Sequence, residues 1–183
     1  MFDYKNAQWE EAKGEYQRIA KEIGDDQFFT KKELKYLPEV LQEGEQVLAF
    51  SSGMMDANTW LITLTDRRII FLDKGLIYGL KQSVIPLNKV NSISGKTGLI
   101  LGEISITDGA GTRVIKNVWK KTVGPFTAKA LKAIDSLNET QKPVSAPSND
   151  DRIDKLERLA ALKEQGILTE EEFANEKAKI LGG

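Results

Sequence analysis

The sequence contains neither cysteine nor histidine among its 183 residues. Their absence excludes disulfides, thiolate nucleophiles and Cys/His metal sites, and it removes the commonest general base. Catalysis would have to rest on carboxylate, Lys, Tyr, Ser or Thr side chains, and the sequence offers no recognisable pairing among them. We therefore expect a protein that is not an enzyme and has no cofactor; an enzyme using carboxylates or a Ser–Lys pair is the least favoured hypothesis.

Long hydrophobic runs are also missing. No window approaches the roughly 18 to 20 apolar residues that a membrane-spanning helix needs. The N-terminus, Met1-Phe2-Asp3-Tyr4-Lys5, runs into charged residues and lacks the apolar stretch of a signal peptide. The sequence therefore predicts a cytoplasmic protein.

Charge of one sign does not dominate, since the formal net charge is −1. The middle is mildly basic, with 12 Lys and Arg against 7 Asp and Glu over residues 45–135, and both ends are acidic. This excess could attract an anionic surface or an acidic partner, but it falls short of the dense basic stripe of a nucleic-acid-binding protein. No nucleic-acid partner is expected.

Two helices are predicted at the N-terminus. Apolar residues at helical spacing from Trp9 to Ile23 predict an amphipathic helix that ends at Gly24. Thr30 and Glu33 have the spacing of a capping box, which would begin a second, short helix ending near Pro38. We interpret residues 1–37 as a helical arm that packs on the rest of the protein.

From about Glu45 the apolar pattern alternates, which predicts about seven short strands separated by glycine-rich breaks. Asp108-Gly109-Ala110-Gly111 predicts a hairpin turn, and Pro86 belongs at a sheet edge or a bulge. Trp60 and Trp119 fall in alternating strands and are candidates for the core. A helix near Pro125 follows, so the elements predict a sheet or open barrel with one end covered by that helix.

The C-terminal part of the chain combines a linker with a helical hairpin. Residues 139–150 contain two prolines without apolar periodicity, as in a flexible linker. Helical spacing returns over 151–183, interrupted at Gly166 and restarted by a capping box at Thr169 and Glu172. A segment this short buries too little surface to fold alone. The residues expected to contact a partner are Ile153, Leu156, Leu159, Phe173 and Ile180.

The run Leu64-Thr65-Asp66-Arg67-Arg68-Ile69-Ile70-Phe71, followed by the run from Ser83 to Ile93, resembles the signature of bacterial pleckstrin-homology-like domains of the YokE-like kind. The resemblance covers about residues 38–138. It implies an α+β, PH-like fold, an antiparallel seven-stranded barrel or two-sheet sandwich capped by a C-terminal helix. Familiar PH domains bind phosphoinositides through basic residues in and after the first strand–loop. Here that loop, residues 52–58, has no Lys or Arg, and the sequence departs from that pattern.

The tail closely resembles the short C-terminal (SHOCT) domain. Residues 159–181 reproduce its pattern L-x-x-L-K-x-x-G-I-L-T-E-E-E-F-x-x-x-K-x-K-I-L essentially in full. The resemblance implies a small non-catalytic module that serves oligomerisation or protein contact. Its partner could be the same hairpin in another copy, a different protein or this chain's own barrel, and self-association is the favoured interpretation.

Two hypotheses for function follow. The first is a non-catalytic binding and assembly protein that forms a homo-oligomer, or contacts another protein, through residues 151–183. The alternative is peripheral binding to anionic lipid through basic residues of the PH-like domain. The candidate lipid contacts are Arg67, Arg68, Arg113, Lys116, Lys120 and Lys121. Their interpretation as ordinary solvated surface charges also stays open.

Overall fold

The computed structural model describes residues 1–25, 30–75, 79–141, 156–160, 163 and 169–181. The chain divides into two compact units, Met1–Thr140 and Gln141–Gly183. In the second unit, residues 156–160 are helical and a further helix, α4, spans Glu170–Leu181. The elements that precede them are α1 (Trp9–Ile23), α2 (Lys31–Val40), β1 (Val47–Met55), β2 (Asn58–Thr65), β3 (Arg68–Lys74), β4 (Leu80–Pro86), β5 (Val90–Thr97), β6 (Leu101–Asp108), β7 (Gly111–Trp119) and α3 (Lys120–Gln141).

The seven strands form one antiparallel sheet in the order β4-β3-β2-β1-β7-β6-β5. Neighbouring strands are consecutive in the chain except β1 and β7, which pair where Met54 lies opposite Lys116. Within the described strands β4 and β5 are the two edges, so the sheet is not closed. Pro86 ends the edge strand β4, where its missing N–H is harmless. The predicted fold class, with seven strands and a C-terminal helix, is confirmed.

The N-terminal helices pack on the sheet. Helix α1 buries Tyr16, Ile19 and Ile23, and the Tyr16 ring meets the Phe50 ring of β1 edge-on at a centroid distance of 6.1 Å. The capping box predicted for α2 is wrong, because its two side chains reach the sheet instead. The Thr30 hydroxyl lies 2.6 Å from the Ser52 hydroxyl, and Glu33 accepts the backbone N–H of Lys74 at 3.0 Å.

Helix α3 also packs on the core, through the buried side chains of Val123, Phe126 and Ala130. It approaches the sheet closely at Gly102, where an added Cβ would lie 2.9 Å from a Val123 methyl and 2.4 Å from the Lys96 carbonyl oxygen. The helix continues to Gln141, so residues 139–141 of the predicted linker are helical. The remainder of that linker, residues 142–150, lies outside the described residues.

Strand β7 contains a bulge that reverses the side-chain alternation. Gly102 pairs with Val118 and Ile104 pairs with Ile115, so β7 has one residue more than β6 between these pairs. The extra length is taken up near Asn117, whose φ of 56° is left-handed. Ile115 and Val118 are therefore both buried, and Trp119 is turned outward with 44% of its surface exposed. The prediction that Trp119 belongs to the core is wrong, whereas Trp60 is buried as predicted.

Candidate functional site

The Thr65-Asp66-Arg67-Arg68 motif forms the turn between β2 and β3. The Thr65 hydroxyl accepts the backbone N–H groups of Arg67 and Arg68 at 3.1 and 3.0 Å. The Arg68 guanidinium donates to both carboxylate oxygens of Glu45, from Nε at 2.8 Å and from Nη2 at 2.7 Å. The Glu45 side chain is fully buried and that of Arg68 is 14% exposed. The motif thus ties the turn to the segment that precedes β1.

The Glu45 carboxylate is also bound by neutral donors, the backbone N–H of Gln42 and the Thr65 hydroxyl, each at 2.7 Å. Burial by itself would raise the pKa of this carboxyl. The hydrogen bonds from Arg68, Gln42 and Thr65, together with the positive charge of Arg68, outweigh burial and hold the pKa of Glu45 below its usual value of 4.5. The hydrogen bond to Glu45 raises the pKa of Arg68. Both partners are therefore charged in the folded protein.

Two of the other candidate lipid contacts also have partners within the protein. The exposed Arg67 donates from Nη1 to the Gln42 side-chain oxygen at 3.3 Å. Arg113 lies 2.6 Å from an Asp108 carboxylate oxygen, and its guanidinium carbon is 5.8 Å from the centre of the Phe71 ring. Asp108 in turn accepts the backbone N–H groups of Ala110 and Gly111, which confirms the predicted hairpin turn. Arg113 therefore braces the β6–β7 hairpin.

A shallow cavity of about 510 Å³ lies between the β1–β2 turn and β7. The turn is shorter than the loop predicted over residues 52–58, because β1 runs to Met55 and β2 begins at Asn58. Asp56 and Ala57 make a two-residue turn with left-handed φ values of 51° and 62°, the geometry of a type I′ hairpin. Lys116 lines this cavity together with Arg113. The position equivalent to the familiar lipid-binding loop is thus a tight turn without a cation.

A surface that sequence reasoning missed lies at the turn between β5 and β6, residues Gly98 to Leu101, here called the β5–β6 tip. Leu99 is 89% exposed and Ile100 is 60% exposed, next to the outward-facing Trp119 of β7. The signal was the apolar triplet enclosed by Gly98 and Gly102, which interrupts the strand alternation.

The predicted cations do not form one surface. Arg68 and Arg113 are engaged in separate ion pairs, at the β2–β3 turn and the β6–β7 hairpin. Lys120 and Lys121 begin α3 immediately after Trp119 and are exposed. Lys116 lines a cleft that also contains Lys96 and Leu101. The lysines, unlike the arginines, therefore lie around the β5–β6 tip.

The tail residues expected to contact a partner are only half-buried where the structure describes them. Leu156 and Leu159 lie in the helical segment 156–160, and Phe173 lies in α4. The predicted capping box is present, since Thr169 and Glu172 exchange side-chain and backbone hydrogen bonds. The backbone N–H and the hydroxyl of Thr169 both donate to the Glu172 carboxylate and lower the pKa of that carboxyl. Ile153 lies outside the described residues, as does the side chain of Ile180.

Two further features are absent from the described part of the chain. No helix among these residues is long and apolar enough to cross a membrane. No group of three or more Asp and Glu side chains in the described ranges could hold a metal ion.

Comparison with known proteins identifies two domains. Residues 41–132 match the family model described as bacterial PH domain, and residues 154–181 match the model described as short C-terminal domain. An uncharacterized protein of Archaeoglobus fulgidus is 26% identical over an alignment of 153 residues, and the match covers 66% of this chain and 79% of the relative.

Two solved structures are also similar to this chain. The pleckstrin homology domain from Shewanella amazonensis has 18% identity and a TM-score of 0.41, and the match covers 57% of this chain and 97% of that one. A DUF1696 family protein with a pleckstrin-homology domain from Shewanella loihica has 16% identity and a TM-score of 0.35, covering 66% and 94%.

The first family match extends over half of the chain and coincides with the seven strands and much of α3. The second includes the helical segment 156–160 and α4. Domains of these two types are typically non-catalytic and suggest a binding or scaffold role. The chain belongs to the bacterial PH-domain family and carries a C-terminal SHOCT domain.

Proposed function

We propose that the chain is a cytoplasmic, non-catalytic assembly protein, in which the SHOCT tail joins copies of the chain and so presents several PH domains together. The supporting observation is the contrast in burial between the two units. The first unit has a continuous core that includes Phe50, Phe71 and Phe126, all fully buried. Among the described tail residues none is buried, and Leu156, Leu159 and Phe173 stay partly exposed. A partner surface would complete the burial of these side chains.

The charge pattern of α4 supports a second copy as that partner. The helix begins with three carboxylates, Glu170 to Glu172, and has Lys177 and Lys179 near its end. Two copies of α4 packed antiparallel about a two-fold axis would place the carboxylates of one opposite the lysines of the other. Phe173 would lie within this contact, and the cations of Lys163 and Lys177 already lie 4.8 and 5.9 Å from its ring centre. Linking several PH domains would strengthen weak individual contacts through multivalency.

Replacing Leu159 and Phe173 by Asn in the full chain is expected to dissociate the oligomer. Burial of each apolar side chain at an interface contributes about 2 kcal/mol, so losing both should weaken self-association at least about 100-fold. Light scattering after size-exclusion chromatography, across a dilution series, measures this as a fall in molar mass from multimer to monomer.

The matched control replaces the exposed residues Arg158 and Ala178 by Asn, which introduces the same residue on the same helices without touching the carboxylates of the proposed contact. It should leave the molar mass unchanged. Equal masses for the L159N/F173N variant and the unaltered multimer would show that the tail does not join the copies. A chain ending at Ser148 would then test whether the sheet domain, which has its own core, carries assembly. A monomeric unaltered chain would contradict self-association and favour a different protein partner.

A further inference from the structure

The β5–β6 tip exposes a group of large apolar side chains. Leu99 and Ile100 project at its end, Leu101 is 40% exposed, and Trp119 lies directly beside it because Leu101 and Trp119 are paired across β6 and β7. Single exposed apolar residues are common, but a contiguous group at a protruding turn indicates a binding surface.

The backbone of the tip is fixed by its neighbours. The Gly98 N–H donates to the Leu101 carbonyl at 2.8 Å and closes the turn, and the N–H of Lys120 donates to the Ile100 carbonyl at 3.2 Å. The ammonium of Lys120 also donates to the Leu99 carbonyl at 3.4 Å. Strands β5 and β6 are paired up to the turn, where Thr97 lies opposite Gly102. The apolar side chains are thus held outward by a preformed scaffold.

Positive charge surrounds the apolar group. Lys120 and Lys121 follow Trp119, and Lys96 and Lys116 line a cleft with Leu101. All four are exposed, and among the described residues none of them lies within 4 Å of a carboxylate oxygen. Glu103 is the single acidic residue lining that cleft. An apolar tip bordered by lysines and an exposed tryptophan has the chemistry of a membrane–water interface contact.

We propose that the β5–β6 tip inserts into the surface of an anionic lipid bilayer. Leu99 and Ile100 enter the boundary between headgroups and acyl chains, Trp119 lies at the headgroup level, and the lysines contact the lipid phosphates. The charge favours this occupant over a second copy of the tip, because two tips in contact would bring eight lysines together.

The tip itself, Gly98 to Leu101, contributes no residue to the cavity at the β1–β2 turn, which is the surface that the PH resemblance points to. Along β6 and β7 the tip lies at the end where Leu101 pairs with Trp119, whereas the β6–β7 turn, with Asp108 opposite Gly111, lies at the other. That cavity extends from Thr112 to Asn117 along β7, so Lys116 lines both the cavity and the cleft beside Leu101. The proposal is also independent of self-association by the tail, which engages different residues.

Sedimentation of the full chain with vesicles tests the proposal. The protein is expected to pellet with vesicles of phosphatidylcholine and phosphatidylglycerol in equal amounts, less so as salt is added, and weakly with phosphatidylcholine alone. L99Q/I100Q should weaken binding at least about tenfold, and K96Q/K121Q should weaken it about tenfold. Two control variants should bind as the unaltered chain does. Leu131→Gln removes an exposed leucine far from the tip in sequence, on α3, and K89Q/K132Q removes two exposed lysines elsewhere.

Tryptophan emission provides a second measurement. Vesicles should shift the emission of the full chain to shorter wavelength, and Trp119→Phe should abolish the shift. Absence of binding to anionic vesicles, or equal binding by L99Q/I100Q and L131Q, would overturn the proposal, as would equal binding to phosphatidylcholine alone. A fall in molar mass of L99Q/I100Q without vesicles would instead identify the tip as a protein contact and would equally overturn it. A monomeric tail variant, L159N/F173N, that still binds vesicles would show that the tip binds lipid without self-association through the tail.

Discussion

Glu45→Gln is expected to lower the free energy of unfolding by about 3–5 kcal/mol, the usual cost of removing one partner from a buried ion pair. The carboxylate of Glu45 receives two hydrogen bonds from Arg68 and one each from Gln42 and Thr65. A neutral amide at this position leaves the largely buried Arg68 guanidinium without a counter-charge. Chemical denaturation of the full chain, followed by circular dichroism, measures the loss.

The control for this variant is Glu43→Gln, a carboxylate two residues away that is exposed. It should change the unfolding free energy by less than about 0.5 kcal/mol. A second comparison replaces both partners, Glu45 and Arg68, by Leu; removing the whole pair should recover part of the loss, because no unpaired charge remains. If E45Q and E43Q unfold at the same denaturant concentration, the pair does not stabilise the fold.

The pH dependence of E45Q gives an independent check of the same pair. Because the folded pKa of Glu45 is lowered, its contribution is fully present above the unfolded pKa of about 4.5 and is lost as pH falls through the folded value. The difference in stability between the unaltered chain and E45Q should therefore be constant near neutral pH and shrink in acid. A difference that stayed constant down to about pH 2 would indicate a packing effect instead of a charge effect.

Phe126→Ala is expected to destabilise the PH domain by about 3–5 kcal/mol through the cavity it leaves. The Phe126 ring is fully buried and belongs to the same core as the strands. It follows Val123, whose methyls contact the sheet near Gly95 and Gly102, so the loss should loosen the first turns of α3. Denaturant unfolding measures the stability, and hydrogen exchange of the α3 amides measures the loosening.

Leu131→Ala is the control on the same helix, since the Leu131 side chain is 48% exposed. It retains helix propensity and should cost less than about 1 kcal/mol. If F126A and L131A lowered the free energy of unfolding equally, the buried Phe126 ring would stabilise the domain no more than an exposed side chain does. That result would contradict the packing of α3 on the core.

Much of the fold is visible in the sequence because it depends on short-range pattern. Alternation marks the strands, helical spacing from Trp9 to Ile23 marks α1, and the Asp108 to Gly111 turn follows from residue type. The error at Trp119 arises from a bulge at Asn117, which no local pattern announces because left-handed φ at Asn costs little. One inserted residue moves every later side chain of β7 to the other face.

The candidate surfaces were less predictable for a different reason. Arg67 and Arg68 read as a basic turn, and only the fold brings Glu45, 23 positions earlier than Arg68, against the second of them. The signature motif of the family therefore has a structural task in this chain. The β5–β6 tip was missed because Leu99 and Ile100 are as apolar as core residues, and composition does not distinguish a side chain that points inward from one held outward.

We expect the strand order to determine the course of folding. Every neighbouring pair in the sheet is a hairpin of consecutive strands except β1 and β7, where Met54 meets Lys116 across most of the sheet-forming sequence. Closing that long loop carries the largest entropy cost, so the two meanders β1–β4 and β5–β7 should form first and their meeting should limit the rate. Gly53 lies at this junction, where an added Cβ would come within 2.3 Å of an Ile115 methyl. Stopped-flow refolding of Gly53→Ala should accordingly be slowed, whereas equal slowing by a change in the Asp108–Gly111 turn would place the barrier within a hairpin.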